Sequence, residues 1–134
     1  MSEICENWTA WLKQNRFAGQ TPEMMAQTIK WLEAVRDVIL VCADIKQHDT
    51  VIDIGTGTGL LAFKALELQE CKGNVIFSDK FKDCLDDCKM ILDKSGILSG
   101  YQMLLCPCEH LRLNDNFVDK ALMRSVLVHI VNKQ

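Results

Sequence analysis

Apolar positions recur along this chain with two different periods, and the change from one to the other organises it. From Met24 onward, Thr28, Trp31, Leu32, Val35, Val38, Ile39 and Cys42 follow one another at steps of three and four. That spacing predicts one long amphipathic helix ending near Ala43. Its start is marked by Thr21-Pro22-Glu23: a capping hydroxyl, a proline whose missing N–H is harmless at the first helical position, and an acid beside the helix N-terminus. Ahead of it, Trp8, Trp11 and Leu12 share one side of a shorter helix running from Trp8 to about Asn15.

After Gln47-His48-Asp49 the pattern shortens. TVIDI is a β-branched strand run, GTGTG follows, and LLAFKALEL returns to helical periodicity. A turn at Cys71-Lys72-Gly73-Asn74 leads to a second strand, VIFS, then Asp79 and a helix from about Lys82 to Lys94. Ser95-Gly96 closes that helix, glycine suiting the left-handed C-terminal cap. YQMLLC reads as a third strand, and DKALMRSVLVHI contains a fourth, ALMRSVLV. Strands alternating with helices at this spacing predict an α/β fold with a parallel sheet and crossover helices. A length of 134 residues suits one domain, a helical segment over 1–48 packed on an α/β unit over 49–134.

Composition narrows the partners. A net charge of −3 gives no electrostatic reason to expect DNA. The longest apolar run, VILVCADI, is far too short to span a bilayer, so no membrane is expected. MSEICENWTAWLKQ carries charges throughout, unlike a signal peptide. Seven cysteines, an odd count at irregular spacing, read as reduced thiols in a cytoplasmic protein. Neither Cys84 with Cys88 nor Cys106 with Cys108 has the C-x-x-C spacing of a zinc site, and no metal is expected.

The chemistry lies in Gly55, Gly57 and Gly59, at every second position between a strand and its helix. In open α/β sheets, ligands bind at this carboxyl end. A phosphate loop requires Gly-Lys-Ser/Thr after its spacer, whereas Leu60 and Leu61 follow Gly59. A dinucleotide fingerprint requires its third glycine at the position held by Leu60, which disfavours an NAD-dependent oxidoreductase. Singly, Asp53 also reads as a turn-capping acid and Asp79 as a helix N-cap.

Taken together, Asp53-x-Gly55-x-Gly57-x-Gly59 with Asp79 just past the second strand resembles motif I and its acidic partner in class I S-adenosylmethionine-dependent methyltransferases. WLEAVRDVIL upstream and MRSVLVHI downstream extend the resemblance to that family's small-molecule type. The resemblance implies a Rossmann-like sheet of order 3-2-1-4 with S-adenosyl-L-methionine as cofactor. It implies that Asp53, Ile54, Gly55, Thr56, Gly57 and Gly59 surround the methionine end, and that Asp79, with Lys80 beside it, accepts the ribose hydroxyls. Pro107 stands where the family commonly has an acid for the adenine amino group; the Cys108 N–H and the Glu109 carboxylate are the remaining adenine contacts. Arg124, Ser125 and His129 fall where the family's fourth strand lines the cofactor and substrate cleft. The alternative readings are a salt-bridged strand residue for Arg124 and a packed sheet-edge residue for His129.

No Asn-Pro-Pro-Tyr segment of the kind used for amino methylation of DNA bases is present. The family's seven-stranded sheet implies that the chain lacks the C-terminal strands and leaves an apolar fourth strand at the edge. A fragment, a natural truncation, and a chain completed by a second copy or a partner all fit. The functional expectation is a methyltransferase, or its cofactor-binding portion, acting on an unidentified small-molecule or protein acceptor. A non-catalytic adenosylmethionine- or nucleotide-binding module working with a partner chain is the alternative.

Overall fold

In the computed structural model, which describes residues 2–107, 109, 111 and 117–124, the first helix begins earlier than its tryptophans indicate. The helix α1 runs Glu3–Asn15 because the Ser2 hydroxyl accepts the Cys5 N–H at 3.2 Å, with Glu3 and Glu6 in the first turn and Lys13 in the last. A hydroxyl cap and acids at this end offset unpaired amides and complement the helix dipole. The second helix, α2 (Pro22–Ala43), starts at Thr21, whose hydroxyl accepts the Met24 N–H.

α2 buries only part of the stripe that its periodicity picks out. Ile29, Arg36 and Leu40 are its buried residues, with Met25, Leu32, Ile39 and Ala43 packed beside them, while Trp31 is 58% and Val38 65% exposed. The helix is apolar on more than one side, so spacing alone does not choose the face; packing against the third helix does.

The remaining elements alternate: β1 (Thr50–Ile54), α3 (Leu60–Leu68), β2 (Asn74–Asp79), α4 (Lys82–Lys94), β3 (Tyr101–Leu105) and β4 (Lys120–Met123). All strand pairs are parallel and the order is β3-β2-β1-β4, as expected. Of the predicted fourth strand, Lys120–Met123 pairs with β1, Arg124 lies in a bend, and the rest is outside the described residues. Val51 joins a core of Leu61, Phe63, Leu66, Phe77, Leu92 and the α1 residues Trp8 and Leu12, while Ile52, Ile54 and Ile76 form a smaller cluster. The two sets alternate along β1 because successive strand side chains point to opposite faces.

Register decides what lies near what. Ile54 pairs with Ser78 and with Met123, and Asp79 pairs with Leu105. The loop after β1 therefore leaves the sheet beside Asp79 on one side and Arg124 on the other.

Candidate functional site

The glycine loop, Gly55 to Gly59, is held residue by residue. Thr56 donates its N–H to the Ser78 carbonyl at 2.9 Å, and its hydroxyl donates to Asp53 Oδ2 at 2.8 Å. Gly57 donates its N–H to Asp79 Oδ2 at 3.0 Å, and the Gly57 carbonyl accepts from the Cys88 thiol at 3.6 Å. Gly59 donates to the Thr56 carbonyl at 2.8 Å and opens α3.

Two glycines are required for different reasons. Gly59 has φ +86°, and a Cβ there would stand 2.4 Å from the Phe63 ring. Gly57 has φ +54°, and a Cβ there would meet nothing nearer than the Gly55 carbonyl at 4.0 Å. The first glycine admits the protein's own aromatic ring, whereas the second keeps open the space above the loop, where a ligand approaches bare backbone.

Asp53 is 2% exposed and turns inward. Besides Thr56, its Oδ2 accepts the Ala62 N–H at 3.2 Å. Gly59 has no side chain to cap α3, so Asp53 supplies the missing acceptor from the neighbouring strand. Burial raises the Asp53 pKa from 3.8 to about 7; the Thr56 and Ala62 bonds oppose that rise, and the Asp79 charge adds to it. The turn-capping role is thus present in the geometry, and any hold that Asp53 has on a ligand passes through the loop.

Asp79, 7% exposed, ends β2. Its Oδ1 accepts the Phe81 N–H at 3.0 Å and its Oδ2 the Gly57 N–H. A carboxylate has about four acceptor positions. One on each oxygen remains for a pair of hydroxyls, and in that respect the site fits a ribose. Lys80 is exposed, its ammonium 5.1 Å from the centre of the Phe81 ring.

Past β3, the Cys106 N–H donates to the Asp79 carbonyl at 3.0 Å and brings the exposed Pro107 and Glu109 to this end of the sheet. Ile54 is buried beneath the loop. The Arg124 guanidinium lies 5.6 Å from the centre of the Trp31 ring on α2, a cation–π contact. Cys108, Ser125 and His129 fall outside the described residues.

Sequence reasoning passed over Trp8, Ser78 and Cys88. The Trp8 indole donates to the Thr58 carbonyl at 3.1 Å, which brings α1 to the loop. Burial, with the Asp53 charge second, pushes the Cys88 thiol up, so it stays protonated and able to donate. No local spacing signals these contacts, which join positions 50 and 31 apart in the chain.

A family model described as a methyltransferase domain matches residues 45–134, from the entry of β1 onward. The chain belongs to this methyltransferase family. It is the class I type that the glycine loop resembles, and it carries that type's parallel 3-2-1-4 sheet. Among curated relatives, this chain matches the ubiquinone/menaquinone biosynthesis C-methyltransferase UbiE of Francisella tularensis subsp. novicida (strain U112) at 28% identity over 90 residues, 67% of this chain and 36% of that one.

Among solved structures it is similar to a SAM-dependent methyltransferase from Aquifex aeolicus: TM-score 0.58, 26% identity, 66% of this chain and 46% of that one. A methyltransferase of the S-adenosyl-L-methionine-dependent type from Methanococcus maripaludis shares the fold over 98% of this chain and 54% of its own, with TM-score 0.69 and 16% identity. The chain thus spans 36% of the curated relative and about half of each solved structure. No helix among the described residues is long and apolar enough to cross a membrane.

Proposed function

We propose that this chain is the cofactor-binding portion of a class I methyltransferase, with S-adenosyl-L-methionine held between the glycine loop and Asp79. The observation that carries the reading is the bond from the Gly57 N–H to Asp79 Oδ2, 3.0 Å, at the carboxyl ends of adjacent strands. It joins an open backbone surface to a carboxylate with spare acceptor positions. The Gly55–Gly57 backbone holds the methionine end, and Asp79 takes the ribose hydroxyls. Pro107, Cys108 and Glu109 border the adenine, with the Cys108 N–H toward the ring and Glu109 as its carboxylate. When bound, S-adenosylmethionine supplies a methyl group activated by its sulfonium for direct displacement by an acceptor's lone pair. The chain's own contribution is alignment. The Asp79 carboxylate at the loop suits a cationic ligand better than a phosphate.

The acceptor is a small molecule or a protein rather than DNA. Arg124, Ser125 and His129 are its candidate neighbours beyond β4. A cytoplasmic setting is consistent with cysteines that are free thiols at every described position. A second reading, a non-catalytic binding module working with a partner chain, rests on Pro107, which offers no side-chain acceptor where the resemblance expects an acid.

Calorimetric titration with adenosylmethionine, adenosylhomocysteine and NAD tests the first reading. Binding of the first two without NAD is expected. NAD binding with no response to the others would overturn it. Adenosylmethionine binding without methyl transfer to any acceptor in a screen would favour the module.

A further inference from the structure

Helix α1 precedes the matched methyltransferase domain, yet it is fastened to both halves of the candidate site. The Ser2 hydroxyl donates to Glu67 Oε2 on α3 at 2.7 Å. The Asn7 amide donates to the Ser95 hydroxyl at the end of α4 at 2.9 Å. Between them, the Trp8 indole donates to the Thr58 carbonyl inside the glycine loop. α3 follows the loop and α4 follows Asp79, so α1 bridges the two elements that set the distance between them.

Trp8 is 2% exposed, and its ring packs in the core that holds Leu60 and Phe63. An indole N–H buried there needs an acceptor, and the Thr58 carbonyl, lifted out of any helix or sheet ladder, needs a donor. Each satisfies the other only when the loop has its present shape. Neighbouring Gly57 presents its N–H to Asp79, so a shift at Thr58 is felt where the ligand would sit.

We propose that α1 is a clamp on the cofactor loop, with Trp8 as a positioning residue that couples docking of the N-terminal helix to cofactor binding. The inference rests on the cofactor reading above and adds a determinant from outside the matched domain. Coupling of this kind is reciprocal: if the docked helix favours the ligand, the ligand favours the docked helix.

Titration of the full chain with adenosylhomocysteine tests it. Trp8→Phe keeps an aromatic ring and removes the N–H, and Kd is expected to rise about tenfold. Ile39→Val loosens the neighbouring helix α2 and leaves α1 and the indole bond in place, and its Kd is expected to stay within about twofold of the wild type. Unchanged affinity in Trp8→Phe, or equal losses in the two variants, overturns the clamp. Hydrogen exchange on the wild-type chain covers the case in which Trp8→Phe does not fold. Adenosylhomocysteine should slow exchange in α1 as well as in the loop, and protection confined to the loop overturns the clamp. A wild-type chain that does not bind adenosylhomocysteine overturns the cofactor reading and the clamp with it, an outcome distinct from intact binding in the variant.

Discussion

Asp79 and Gly57 are joined across two strands: one carboxylate oxygen accepts the Gly57 N–H at 3.0 Å, while the other accepts the Phe81 N–H at the start of α4. The same side chain therefore shapes the loop and offers acceptors above it. Asp79→Ala removes both. Hydrogen bonds to a charged group are each worth about 1.5–3 kcal/mol, so adenosylhomocysteine affinity should fall by roughly a hundredfold or more. Asp79→Asn, which keeps one acceptor oxygen, should fall between. Calorimetry decides, and an unchanged Kd in Asp79→Ala would remove the ribose role.

Gly57 and Gly59 should respond differently to the same substitution. Each has positive φ, which costs an alanine about 1–2 kcal/mol. Gly59→Ala additionally drives a Cβ into the Phe63 ring, and overpacking adds about 1–3 kcal/mol. Its main effect is a lower Tm. Gly57→Ala places its methyl in open space above the loop, so ligand affinity suffers more than stability. Thermal melts and titrations of both variants separate the effects; a larger Tm loss in Gly57→Ala would contradict the geometry.

Asp53 predicts a pH dependence. Burial raises its folded-state pKa from 3.8 to about 7, so the folded chain binds that proton more tightly than the unfolded chain. Stability from this group is fully present below the unfolded value of 3.8 and is lost as pH rises through about 7. The size is on the order of a few kcal/mol at ~1.36 kcal/mol per unit. Asp53→Asn keeps an acceptor for Thr56 and Ala62 but does not ionise. Denaturant unfolding of both forms between pH 4 and 8, roughly the window that linkage assigns, should show the wild type losing stability relative to the variant. Parallel curves would refute the buried ionisation.

The thiols should differ in reactivity. Cys88 is buried and protonated against the Gly57 carbonyl, whereas Cys42 is exposed. Because the thiolate is the reactive form, an aromatic disulfide reagent should modify Cys42 quickly and Cys88 only on unfolding. Mass spectrometry of partly modified protein locates the label, and early labelling at Cys88 would show that the loop opens.

The alternating elements and the glycine loop were legible because both are local in sequence: three glycines at alternate positions, β-branched runs around them, and an acid twenty positions after Gly59; the strand order came with the family resemblance. The buried side of α2 was not legible, since Trp31 and Val38 as well as Ile29 and Leu40 give it apolar positions on more than one face, and only its partner selects one. Ser2 was missed because a cap ahead of Glu3 outweighs the weaker apolar signal of the first turn. The direction of Asp53 was not legible, because it depends on the otherwise uncapped amide of Ala62, which becomes visible only once α3 has formed.

The three bonds of α1 also bear on the order in which the molecule is completed. Ser2, Asn7 and Trp8 meet partners 65, 88 and 50 positions further along the chain. A ribosome releases α1 before any of them, so the helix waits with Trp8 and Leu12 unburied until the end of α4 has emerged. Such delayed, long-range closure slows folding and exposes apolar surface meanwhile. α1, made before its partners, is therefore among the last of these elements to settle, and the nascent chain is most vulnerable while it waits.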